Sequence, residues 1–258
     1  MAPGAVTFKD LGFWSLFALL LPQAVWVRKT ALRFPAADGP SDGETGHGPN
    51  ELKMLALGDS IIAGVGARTL GNALVGRTAQ HLSDALDARV HWTAHGRSGA
   101  ITRQIATRML PRLENEPVDA VLVSAGVNDV ISLHGLARWR TDIETLLRAL
   151  TDRWPDAVIA FSGLPPMNHF PALPQPLRAV FGLRARQFDR VLREALNGYP
   201  QSVHIPLAFE ARPGSFSDDG FHPSEQSYVE FGRLSAAAIA RRLHPGGDHG
   251  DRPAPLTK

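Results

Sequence analysis

Five positions, far apart in the chain, have the residue types that one covalent reaction needs. Ser60 ends the run "LALGDS", which puts a hydroxyl at the tip of an apolar stretch. Asp219 and His222 stand three residues apart in "DGFH", Gly99 closes "GRSG", and Asn128 sits in "GVND". A serine hydroxyl becomes a useful nucleophile when a base takes its proton, a third group orients that base, and donors meet the developing oxyanion. Ser60 can be the nucleophile and His222 the base. Asp219 can reach the other imidazole nitrogen and fix its tautomer. The oxyanion can be met by the backbone N–H groups of Ser60 and Gly99 and by the side-chain amide of Asn128. Glycine at position 99 lets the backbone approach closely, and the Asn128 amide donates without titrating.

Each piece is weak alone. Gly-Asp-Ser is ordinary turn chemistry, Asn128–Asp129 suits a helix cap, and a histidine ahead of a helix is commonly a surface or capping group. The set gains specificity from where its members fall. Short runs rich in Val, Ile, Leu and Ala occur at Leu52–Leu57, Arg89–Ala94, Ala120–Ser124, Ala157–Ser162 and Ser202–Ile205. They read as strands buried on both faces. Helical periodicity fills the gaps, clearest in "LARWRTDIETLLRALTDRW", "PLRAVFGLRARQFDRVLREALN" and "SEQSYVEFGRLSAAAIARRL". Strand–helix alternation predicts a mostly parallel sheet with helices on both faces. In such sheets ligands bind beyond the carboxyl ends of the strands. Ser60, "HGRSGAIT", "AGVNDV" and "GLPPMNHF" follow the first four runs in turn, and "SDDGFHPSEQ" leads into the last helix.

With these blocks in order, the chain resembles the SGNH hydrolases, also called GDSL esterases/lipases, over roughly Lys53 to Leu243. The resemblance implies a flavodoxin-like three-layer α/β/α sandwich with about five parallel strands. It implies ester hydrolysis through an acyl-serine, with no metal and no organic cofactor. Asp59 is expected to support the turn and stays outside the catalytic set. The serine is not in a Gly-x-Ser-x-Gly elbow, which argues against the α/β-hydrolase fold. "GDSIIAGVGA" lacks the spacing of a dinucleotide-binding loop.

The substrate pocket is less legible. His95, Met167, His169, Phe170 and Phe221 are candidates for it, each with a plain packing or loop alternative, and Phe216 flanks Asp219 as Phe221 does. Trp139 and Trp154 read as packing. The substrate is expected to be a small-molecule, lipid or sugar ester. An acyltransferase on the same machinery and a catalytically silent binding protein of the same fold stay open as alternatives. The formal charge of +2 and the scattered arginines give no case for nucleic acid. With no cysteine, disulfides, thiolate catalysis and Cys-based metal sites are excluded.

Outside the catalytic region, residues 51–243, three segments differ. Residues 1–33 contain the apolar run Leu11–Val27, followed by Arg28, Lys29 and Arg33. It is apolar all round and needs full burial, in a bilayer, in a groove on the catalytic domain or against a partner. The expectation is an uncleaved, membrane-associated N-terminus with the catalytic domain on the cytoplasmic face, export being the alternative. Residues 34–50 read as a flexible Gly/Pro/Asp-rich linker. Residues 244–258 read as a disordered tail. Oligomeric state is not legible.

Overall fold

The apolar runs form strands because successive side chains find a hydrophobic layer on each face. Met54 and Ala56 face one layer while Leu55 and Leu57 face the other. Val158 and Ala160 alternate in the same way with Ile159 and Phe161. The computed structural model describes residues 34–207 and 212–244, with residues 20, 22–24 and 26. Among these, six strands form one sheet: β1 (Asp42–Thr45), β2 (Asn50–Gly58), β3 (Ala88–Gly96), β4 (Ala120–Ser124), β5 (Val158–Ser162) and β6 (Ser202–Ile205). Their order across the sheet is β1-β3-β2-β4-β5-β6. The five expected strands are all present and parallel. This is the expected α/β sandwich, with one addition.

The addition lies in the stretch expected to be a flexible linker. Asp42–Thr45 pairs antiparallel with β3, and Ala37 and Asp38 donate to the carbonyls of Ala63 and Arg68 at 3.0 and 2.9 Å. Backbone pairing to an exposed sheet edge needs no apolar side chains. A polar "DGET" strand therefore carries no hydrophobic signal, and its charges suit an edge.

One layer holds α1 (Leu74–Leu86), which begins after the loop that carries Ser60. The other holds α2 (Val127–Ile131), α3 (Leu136–Arg153) and α4 (Leu177–Leu196); α5 (Glu225–Leu243) packs beside α1. Trp139 of α3 stacks on Phe188 of α4, with ring centroids 5.1 Å apart, and donates its indole N–H to the Phe188 carbonyl at 3.0 Å. Both rings are fully buried, and burial of each such side chain stabilises the fold by about 1.5–3 kcal/mol. The α5 start is fixed by Ser224, whose side chain accepts from the Ser227 N–H.

The chain runs from β2 to β3 on one side and then crosses to β4 on the other. That reversal opens a crevice at the carboxyl ends of β2 and β4, where such sheets hold ligands. Most of Leu11–Val27 lies outside the described residues, as does the tail beyond His244. Leu20 is buried in the α3–α4 layer. The Gln23 side chain donates to the Gln175 carbonyl at 2.9 Å and accepts from the Leu177 N–H at 3.2 Å, at the α4 N-terminus. No helix among the described residues is long and apolar enough to cross a membrane.

Candidate active site

Ser60 stands two residues past β2, in a turn held from several sides. The Val65 N–H donates to the Ser60 carbonyl at 3.0 Å, and the buried Tyr228 hydroxyl of α5 donates to the Val65 carbonyl at 2.6 Å. Asp59 is buried and accepts from the Ile61 N–H and the Ser124 hydroxyl, each at 3.1 Å. Burial pushes the Asp59 carboxyl up to about 6, although these bonds and the nearby His222 pull it down. Its place beneath the turn agrees with the supporting role expected for it.

His222 comes from the loop before α5, and the structure brings it to Ser60. Its Nε2 lies 2.9 Å from Ser60 Oγ and its Nδ1 lies 2.6 Å from Asp219 Oδ2. The other Asp219 oxygen accepts from Ser217 Oγ at 2.9 Å, Phe221 N at 2.8 Å and His222 N at 2.9 Å. Burial alone would raise the Asp219 carboxyl. The hydrogen bonds from the His222 ring and from the two backbone N–H groups outweigh burial and hold it at about 2. Asp219 is therefore a fixed anion facing the imidazole. Ser217 was not singled out in the sequence; a serine two residues before an aspartate is too common a pattern to signal this bond.

Gly99 sits on the loop after β3, and Asn128 on α2, the short helix after β4. Gly99 has φ +78°, a left-handed conformation that favours glycine. A Cβ built there meets nothing within 4 Å. The left-handed backbone is thus a reason for glycine in addition to the close approach expected. Packing against protein atoms selects glycine at Gly126, two residues before Asn128, where a Cβ would lie 2.9 Å from the Trp139 ring. The Asn128 amide donates to the Ala100 carbonyl at 2.9 Å, which orients the group and leaves its second N–H available. Among the described residues, the backbone N–H groups of Ser60 and Gly99 have no backbone acceptor.

The five pocket candidates divide. His95, at the end of β3, and His169 are exposed. Met167 and Phe170 are buried in the core layer, at 0% and 3% exposure. Phe221 is half-buried and stands edge-on to Phe170 at 5.0 Å and beside the His222 ring at 5.2 Å. Phe216 meets Phe170 from another side at 5.4 Å. Phe221 thus links the imidazole to the buried Phe170 ring and, through it, to Phe216.

Comparison with known proteins agrees with this architecture. A GDSL-like esterase of Mycobacterium tuberculosis is 26% identical over 188 residues, covering 70% of this chain. The alignment spans only 59% of that relative's length. A lipase from a goat rumen metagenome superposes with a TM-score of 0.62 at 21% identity, covering 74% of this chain and 99% of its own. A Clostridium thermocellum family 3 carbohydrate esterase gives 0.59 at 18% identity, over 76% of this chain and 98% of its own. At these identities the superpositions speak for the fold. The model of the GDSL-like lipase/acylhydrolase family matches residues 56–229, which takes in every residue of the site described above, and the chain belongs to that family.

Proposed function

We propose that the chain is a serine ester hydrolase that cleaves carboxylic esters through an acyl-serine intermediate. His222 Nε2 takes the Ser60 proton as Oγ attacks the ester carbonyl. The tetrahedral oxyanion is met by the N–H groups of Ser60 and Gly99 and by the free N–H of the Asn128 amide. The imidazolium formed at this moment faces Asp219, whose charge stabilises it and whose bond to Nδ1 keeps Nε2 aimed at the serine. His222 then returns the proton to the departing alcohol oxygen. Water, deprotonated by the same imidazole, attacks the acyl carbon; the C–Oγ bond then breaks, His222 returns the proton to Ser60 Oγ, and the carboxylic acid leaves.

The observation that carries this reading is the continuous pair of contacts, 2.9 Å from His222 to Ser60 and 2.6 Å from His222 to Asp219. Family membership supports it. The named activities of the relatives, lipase, esterase and carbohydrate esterase, are all ester cleavage. The half-buried Phe221 ring beside His222 offers the ester an apolar contact. The test is turnover of nitrophenyl esters of increasing acyl length, by the wild type and by Ser60→Ala. Turnover by the wild type with less than about a tenth retained by Ser60→Ala is expected. A variant that keeps more than this would remove Ser60 from the nucleophile's role.

A further inference from the structure

The helix that carries Asn128 continues into a buried polar cluster that the mechanism above leaves unused. Asp129, the next residue, is fully buried. Its Oδ2 accepts from the backbone N–H and the hydroxyl of Thr102, each at 3.0 Å. Its Oδ1 lies 2.9 Å from Nδ1 of His134, itself 8% exposed. The His134 backbone N–H also returns to the Asp129 carbonyl at 3.0 Å. To bring His134 there, Leu133 adopts φ +59°. A left-handed backbone is strained for leucine, whose Cβ crowds the following carbonyl oxygen. Backbone strain of this kind persists only where its surroundings fix it, and it gathers at functional sites.

The cluster does more than satisfy a buried charge. Thr102 is three residues beyond Gly99, where the loop enters a short helix, Thr102–Gln104. Asn128 holds that loop at Ala100, and Asp129 holds it again at Thr102. Two adjacent residues of one short helix thus grip one loop at two points, and the loop presents the Gly99 N–H. The Asp129 bonds are the charge-assisted ones, stronger than the neutral amide contact.

Asp142 adjoins this pair, and its carboxylate together with Asp129 and His134 offers ligand atoms within 4.8 Å of one another. Cationic groups already stand here: Arg138 Nε is 3.5 Å from Asp142 Oδ2, and Arg184 donates to the His134 carbonyl at 2.9 Å. That favours a latch over a metal site.

The geometry points to Asp129 as a positioning residue for the oxyanion donors, latching the Gly99 loop onto the helix of Asn128, with His134 holding its carboxylate in register. The inference rests on the oxyanion role proposed above for Gly99 and Asn128.

The experiment is steady-state kinetics on Asp129→Asn, Asn128→Ala and their combination, with thermal melting of each and metal analysis of the purified wild type. Asp129→Asn should lower kcat about 10- to 100-fold with KM within about twofold, because a loosened donor is felt mainly in the transition state. In the Asn128→Ala background the same change should cost at least about threefold less, since one of the donors it positions is already gone. Equal costs in the two backgrounds, a pure KM effect, or an unchanged kcat in Asp129→Asn would each overturn the latch. So would stoichiometric zinc in the wild type that Asp142→Asn loses, which would assign the cluster to a metal. If Asn128→Ala leaves kcat intact, the oxyanion role falls and takes the latch with it. If Asn128→Ala is impaired and Asp129→Asn is not, the latch alone falls. Should Asp129→Asn fail to fold, Thr102→Val removes only the hydroxyl donor. It should lower kcat about three- to tenfold at unchanged KM and melting temperature, and an unchanged kcat there would refute the latch.

Discussion

Asp59 sits fully buried beneath the nucleophile turn, and burial lifts its carboxyl from an ordinary 3.8 to about 6. The folded protein therefore holds the proton to higher pH than the unfolded chain does. A raised folded value means that the group costs nothing below the unfolded value and destabilises progressively as pH rises through the folded one. The difference is about 2 pH units, and at 1.36 kcal/mol per unit the cost above pH 6 is about 3 kcal/mol. Asp59→Asn removes the ionisation and keeps an acceptor oxygen for the Ile61 N–H and the Ser124 hydroxyl. The variant should be more stable than wild type at pH 7.5 by about 3 kcal/mol, or about 6–12 °C in Tm for a domain of this size. The gap should nearly close at pH 4. Urea denaturation of both proteins at pH 4, 5, 6 and 7.5 measures it. A gap that stays constant with pH, or that widens toward acid, would refute the reasoning.

Further expectations follow from the same geometry. Asn128→Ala should lower kcat by roughly 10²- to 10³-fold with little change in KM; a pure KM effect in ester kinetics would make Asn128 a substrate-binding residue instead. Asp219→Asn should lower kcat by about 10³- to 10⁴-fold while leaving the fold intact, because the amide disturbs the imidazole tautomer; circular dichroism and turnover of the same sample check it. Asp219, held at about 2, stays ionised throughout the working range. Leu147→Ala, at a fully buried α3 position, should destabilise by about 2–5 kcal/mol in urea denaturation, with turnover per folded molecule unchanged.

Much of this was readable from the sequence because the signals are strong and local. Five apolar runs gave five parallel strands, and the blocks following them lie at the carboxyl ends, as the sheet rule requires. The strand Asp42–Thr45 was not readable: it is short, polar, and defined by backbone pairing to β3, which depends on where the chain returns in space. The positive φ at Gly99 was not readable, since close approach and positive φ both select glycine and leave the same letter. Asp129 looked like a helix cap, and His134 carried no signal at all. Their contact depends on the left-handed turn at Leu133, a conformation that no residue type there announces. Met167 and Phe170 follow a strand, a position that suits pocket lining and packing alike; both are buried in the α3–α4 layer, which depends on how the loop after β5 folds.

The central claim is that Ser60 is the nucleophile of this fold's carboxyl-end crevice. Its most direct test is the intact mass and peptide map of the protein after reaction with a fluorophosphonate probe. One covalent adduct per chain is expected, located on the peptide containing Ser60 and absent from Ser60→Ala. An adduct mapped to another residue, or no adduct on folded wild-type protein, would contradict it.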